Sequence, residues 1–139
     1  MNSRWELFQH QADIGVRGIG DTQDEAFANA AMAMTAVIAD PKTVVPLHPF
    51  EVECEAPDTE LLLVDWLNRI VFEMATRRML FSRFDVCILP GRLRARIWGE
   101  AVDEERHQPA VEVKAATYHG LSVRQQEDRS WVAECVVDV

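Results

Sequence analysis

The sequence predicts a single α+β domain over residues 1–139, with antiparallel β-sheets stacked like a sandwich and two main α-helices packed against them. Three observations carry that expectation. Two stretches of helical periodicity, each opened by a capping or turn signal, lie in the first 80 residues. A succession of strand-like segments separated by turn residues fills the remainder, and no internal repeat or long linker divides the chain.

Taken in order, residues 4–9 mix Trp5, Leu7 and Phe8 with polar side chains and read as a first strand. The glycine-containing segment 15–20 is then either a bulged continuation or a second strand. From Asp21 the period changes: Thr22 followed by Glu25 forms a capping box, and Ala26, Phe27, Ala30, Met34, Val37 and Ile38 recur at helical spacing. Asp40-Pro41 closes this helix, because the residue before proline is pushed out of the helical region. Within residues 44–55, Phe50, Val52 and Cys54 alternate with Glu51, Glu53 and Glu55, giving a half-buried strand with one carboxylate face. Pro57-Asp58-Thr59 leads into a second helix with Leu63, Trp66, Leu67, Ile70, Val71 and Met74 on one stripe. About twenty residues of helix span roughly 30 Å, so this is the expected central core helix. Past Met79 the segments 81–89, 93–101, 110–118, 121–126 and 131–137 read as strands, with turns at Pro90-Gly91, His119-Gly120 and Glu127-Asp128-Arg129.

With 48% hydrophobic and 27% charged residues, the composition is that of an ordinary globule and excludes collagen-like, low-complexity and disordered chains. No stretch approaches 18 uninterrupted apolar residues, so no membrane span is expected. The 14 Lys and Arg against 23 Asp and Glu give a net charge of −9. Residues 1–60 hold three basic residues (Arg4, Arg17, Lys42) against eleven acidic ones, a balance of −8, whereas residues 61–139 hold eleven against twelve, a balance of −1. Such a surface repels phosphate backbones, and autonomous nucleic-acid binding is not expected. Arg69, Arg77 and Arg78 on the second helix, and Arg92, Arg94 and Arg96 on a strand, read as solvated faces. Cys54, Cys87 and Cys135 are odd in number and lack C-x-x-C spacing, so they read as reduced, buried small hydrophobes, and the cytoplasm is the expected compartment.

Phosphate loops, nucleophile elbows, H-E-x-x-H helices and paired zinc cysteines are missing, and Gly15, Gly18 and Gly20 have the wrong spacing for a dinucleotide fingerprint. Three local features remain. His10-Gln11-Ala12-Asp13-Ile14-Gly15 sets a histidine and an aspartate beside a glycine at a strand end; Asp13 is either a turn residue or a ligand. The chain closes on Val136-Val137-Asp138-Val139, where Asp138 and the terminal carboxylate could converge with Asp13 as hard oxygen ligands suited to calcium or magnesium. Finally, Val111 to Gly120 carries Lys114, one of two lysines, on a stretch whose alternation puts Glu112, Lys114 and Ala116 on one strand face; it forms either an exposed ion pair or a cation for a phosphate or a partner's carboxylate.

In this order the features resemble the archease family. The resemblance rests on His10 to Gly15, Leu61-Leu62-Leu63-Val64-Asp65-Trp66-Leu67-Asn68, Leu80-Phe81-Ser82, Gly99-Glu100, Val113 to Gly120 and the terminal Asp138-Val139. Gln11 departs from the threonine usual between the histidine and the alanine. The resemblance implies an α+β sandwich and a divalent ion, calcium in the first place with magnesium or manganese as alternatives, held by Asp13, Asp138 and Val139. It implies that Lys114, with Asp13 and Asp138, serves in activating an RtcB-type tRNA-splicing or RNA-repair ligase, and that the chain is a non-catalytic partner promoting metal- and GTP-dependent guanylylation and multiple turnover of that ligase. RNA and GTP would be met indirectly, through the ligase. His10 and His119 are secondary candidates. Two other classes stand beside this reading: a small metal-dependent phosphoesterase using Asp13 and His119, and a chaperone-like binding module.

Overall fold

The computed structural model describes residues 3–139 and folds into two antiparallel sheets with helices between and beside them. A hairpin of β1 (Arg4–His10) and β2 (Asp13–Gly20) starts the first sheet, so the glycine-containing segment is a second strand. The hairpin turns through Gln11 and Ala12, and Gln11 takes the left-handed φ of 55°. The last strand, β8 (Trp131–Asp138), pairs with β2 along one edge, while β7 (Ser122–Gln125) and the two-residue β6 (Ala115–Ala116) share its other edge. The second sheet has the order β3 (His48–Glu55), β5 (Arg92–Ala101), β4 (Met79–Leu89).

Between the sheets runs α1 (Gln23–Ile38), whose Thr22 hydroxyl accepts the Glu25 amide at 3.1 Å, as the capping signal requires. Its fully buried Ala26, Ala30, Ala31 and Ala33 let it lie directly on β2. At Gly18 a Cβ would collide with the Ala26 carbonyl and the Ala30 amide, so the glycine serves helix–strand approach rather than phosphate binding. The opposite side of α1 reaches the second sheet: Thr35 Oγ1 donates to the Phe81 carbonyl at 2.7 Å, and the Asp24 carboxylate accepts the Ile88 amide at 3.0 Å. The second helix, α2 (Thr59–Arg77), is capped by Asp58 and stops at Arg78, which adopts a left-handed φ of 55°. Its Trp66 is fully buried, donates Nε1–H to the Phe27 carbonyl at 3.0 Å and meets Phe84 edge-on. The centre expected of α2 alone is thus shared with α1.

The arginine faces are internally matched. Arg92, Arg94 and Arg96 stand opposite Glu55, Glu53 and Glu51 in the β3–β5 register, with Arg96 to Glu51 at 2.8 Å and Arg94 to Glu53 at 3.6 Å. On α2, Arg69 and Arg77 flank the buried Glu73, and Arg77 also stacks over Phe50. Across the outer face of the first sheet, Glu6, Arg17, Glu134 and Arg124 form one chain of ion pairs. Burial pushes the Glu134 carboxyl up, but the two guanidinium groups outweigh it and hold its pKa below the usual range.

Three expectations need correction. Residues 110–114 are not a strand: the Ala110 amide bonds the Ile38 carbonyl at 2.8 Å and the Lys114 amide bonds the Asp138 carbonyl at 2.7 Å, so the segment straps across the end of α1. Alternation fails there, with Val111 exposed, Val113 and Ala116 buried, and no ion pair between Glu112 and Lys114. A one-turn helix, α3 (Glu104–His107), capped by Asp103, precedes the strap; it is too short and polar for its period to register in the sequence. Cys135 is buried and Cys54 half-buried, whereas Cys87 is exposed on the charged face of the second sheet, where alternation sends every second β4 side chain outward.

Glu100 draws two of its partners from α3. Its buried carboxylate accepts two bonds from Arg106, at 2.6 and 2.8 Å, and the Val45 amide at 2.7 Å. His107 Nδ1 accepts the Asp103 amide, so its Nε2 carries the proton and donates to Glu100 at 3.0 Å. The Arg106 guanidinium foremost holds the Glu100 pKa down at about 2, from an ordinary 4.5. A depressed carboxylate pKa contributes stability above the unfolded value that is lost as pH falls through the folded one. Glu100→Gln should therefore melt below the wild type at pH 7, with the gap closing between about pH 5 and about pH 2. Thermal melts across that range check this, and a pH-independent gap would refute the ion-pair origin.

Candidate functional site

The register of the first sheet decides where the predicted residues meet. Ile14 faces Val137 across β2 and β8, so the same register run one residue further sets Asp13 opposite Asp138. In the β1–β2 hairpin His10 pairs with Asp13, which places His10 on the same face. On the far side of β8, Ala115 pairs with Asp138 and the Lys114 amide donates to the Asp138 carbonyl. Residues from both ends of the chain and from the strap are thereby gathered at one end of one sheet. His119 stands two residues further up β8, its carbonyl accepting the Val136 amide at 2.9 Å.

Asp13, Asp138, Val139 and Lys114 are all exposed. Among the described residues, neither aspartate nor Lys114 makes a side-chain hydrogen bond or an ion pair. Facing positions on antiparallel strands lie about 5 Å apart at Cα, and like charges directly opposite each other destabilise the pair. Carboxylate oxygens such as those of Asp13 and Asp138 are hard donors, the type that suits calcium or magnesium. No cluster of three or more His, Cys, Asp or Glu side chains that could hold a metal occurs among the described residues. His10 Nδ1 is buried without a hydrogen-bond partner in the immediate neighbourhood. Gln11, the departure from the family pattern, occupies the turn position with positive φ, and its carbonyl accepts the Gln9 side-chain amide at 3.4 Å.

The loop after β6 is tied firmly to β8. The Thr117 amide and hydroxyl both donate to the Val136 carbonyl, at 3.0 and 2.8 Å, and the His119 amide donates to Thr117 Oγ1 at 3.2 Å. On the open edge of β6, the Asn68 side chain of α2 accepts the Ala116 amide at 2.8 Å and donates to the Ala116 carbonyl at 3.2 Å. Asn68 lies inside a recognised sequence stretch, yet its role was not foreseen; the available signal is a helix-averse asparagine between the core residues Leu67 and Ile70. A cleft of about 660 Å³ elsewhere, between the end of α2 and the strap and floored by Met74, Met79 and Val113, contains none of the predicted site residues.

Comparison with known proteins places the chain, over nearly its whole length, in one family. A family model described as the Archease protein family matches residues 5–139. Protein archease of Pyrococcus abyssi is 38% identical over 140 residues, covering 98% of this chain and 99% of the relative. Protein archease of Methanopyrus kandleri is 40% identical over 139 residues, covering 97% and 99%. The solution structure of Methanobacterium thermoautotrophicum protein 1598 superposes with a TM-score of 0.83 at 34% identity, over 97% of this chain and 98% of that one. A crystal structure of a Thermotoga maritima archease, described as a possible chaperone, shares the fold with a TM-score of 0.56 at 17% identity, over 96% of each chain. From its fold, from the placement of its motifs and from these end-to-end matches, the chain belongs to the archease family.

Proposed function

We propose that this chain is a non-catalytic activator of an RtcB-type RNA ligase, promoting the metal- and GTP-dependent guanylylation of that enzyme and its repeated turnover. The observation that supports it most is the convergence of Asp13, Asp138, the Val139 carboxylate and Lys114 at one exposed sheet end. Asp13, Asp138 and the terminal carboxylate would hold the cation, calcium in the first place, with magnesium or manganese as alternatives; when bound, the ion supplies positive charge and open coordination positions. Lys114 adds a compact cation beside it for a phosphate or a partner carboxylate. GTP and RNA are then met through the ligase rather than bound alone, in keeping with arginines that already face glutamates of the same chain. A chain of net charge −9 is drawn to a basic, phosphate-binding active-site mouth, and opposite charge speeds that encounter. No helix among the described residues is long and apolar enough to cross a membrane, and a cytoplasmic setting is part of this proposal.

The direct test mixes the protein with its cognate ligase, GTP and divalent metal and measures covalent guanylylate. Asp13→Ala and Asp138→Ala should drop formation to the rate of the ligase alone, while changing metal-free stability by no more than about 0.5 kcal/mol, because both side chains are exposed and unpaired. Calcium at about 100 times its dissociation constant should raise wild-type stability by about 2.7 kcal/mol and leave both variants unmoved. Unfolding of both variants would favour a purely structural role instead. Lys114→Ala should fold normally and lose at least tenfold in stimulation; wild-type stimulation would remove it from the site. The stimulated rate at sub-saturating protein should also fall as salt rises, and insensitivity to salt would dispose of electrostatic steering.

A further inference from the structure

We infer that Asn68 is a positioning residue for the candidate site, an amide that stands in for the missing neighbour strand of β6 and so holds Lys114 against the chain end. The inference rests on the functional reading above and extends it to a residue outside the ligand set.

The segment that carries Lys114 is weakly held by itself. The ladder of β6 has two residues, Ala115 and Ala116, and the residues before it form an irregular strap. A strand this short on a sheet edge has an exposed amide and carbonyl on its free side and little to fix its register. The register matters here, because a one-residue slip would turn every side chain of the segment to the other face and part the Lys114 amide from the Asp138 carbonyl.

α2 supplies the missing restraint. It runs along the open edge, with the Glu60 carboxylate near the Val123 amide of β7 at 3.4 Å and, two turns on, Asn68 beside β6. The Asn68 amide presents one donor and one acceptor to the same residue, as a strand peptide would: Oδ1 takes the Ala116 N–H at 2.8 Å and Nδ2 gives to the Ala116 carbonyl at 3.2 Å. Its backbone is stiff, since Trp66, Leu67 and Ile70 are completely buried and Trp66 is bonded to α1. Asparagine is a poor residue for a helix interior, and leucine or alanine would suit this flank of an apolar stripe better. The two bonds to Ala116 account for its presence.

Groups that orient functional side chains through hydrogen bonds commonly change metal affinity or activity by about 10- to 100-fold when removed. Asn29 provides a matched control, because it makes the same kind of helix-to-strand bond, to the Ile19 carbonyl at 2.8 Å, at the far end of β2. Asn68→Ala should lower ligase stimulation at least tenfold, with faster hydrogen exchange at Ala116 and Lys114 and unchanged exchange at Val16 and Ala133. Asn29→Ala should lower the melting temperature while stimulating like the wild type. Asn68→Asp keeps the acceptor for the Ala116 amide but opposes its carbonyl, and should fall between Asn68→Ala and the wild type. Should Asn68→Ala fail to fold, Asn68→Asp carries the test, read by the same exchange and guanylylation measurements. Wild-type stimulation by a folded Asn68→Ala, or equal loss in Asn29→Ala, overturns the inference. A wild-type protein that does not stimulate the ligase at all overturns the functional reading first.

Discussion

The position of β8 between β2 and the β6–β7 edge is the constraint on which the rest of the structure depends. All but its ends are buried, and its inner face, with Ala133, Cys135 and Val137, closes the core beneath α1. Because β2 is the return strand of the first hairpin and β8 is the last strand, their pairing carries residue 13 to residue 138 without any loop reaching between them. The pairing is strongly specified: a one-residue slip would drive Val16 and Cys135 to the outer face and Arg17 and Glu134 into the core. Residues placed by such a register are held as rigidly as the sheet, although the side chains of Asp13 and Asp138 stand in water.

Rigidity and exposure are obtained from the same strands by alternation. The outer face of the first sheet lays a half-buried Phe8 over Gly15, where any larger residue would meet the ring, and carries Arg17 over Phe8 at 4.5 Å. Arg17 is shared between Glu6 and Glu134, and its charged state is reinforced first by the Glu134 bond. On this face the Arg17 row is neutralised, whereas Asp13 and Asp138 have no cation of their own among the described residues. The acidic excess of the first 60 residues has comparable compensation elsewhere, in the glutamates of β3 facing the arginines of β5. Asp13 and Asp138 stay without a paired cation at the end of this face, as exposed carboxylates.

Most of this was legible in the residues because most of it follows from local rules. Thr22 and Asp58 mark their helix starts, Asp40-Pro41 marks an end, and the Phe50, Val52, Cys54 alternation fixes which face of β3 is buried. Asp13 and Asp138 were also visible as candidate ligands, yet only the strand register sets the two positions across from each other. The strap was misread because Val111 and Val113 mimic strand alternation, while the bonds that decide its path, to Ile38 and to Asp138, lie 72 and 24 residues away along the chain. Asn68 was missed for the same reason: an asparagine on a helix flank declares its role only when the strand it serves is seen.

The Glu100 cluster shows how non-local bonds of this kind make short elements dependable. α3 has a single turn and a strap follows it, neither of which would persist alone in water. Glu100 nevertheless draws Arg106 and His107 from α3 and the Val45 amide from the chain before β3 onto one buried carboxylate, while Arg106 also donates to the Thr43 carbonyl. That fixes where the strap begins. The Ile38 carbonyl holds its first part, and Asn68 together with Asp138 holds its end. Four polar anchors on four different elements thus guide an irregular segment to the end of β8, and the freedom left to Lys114 is that of its side chain alone.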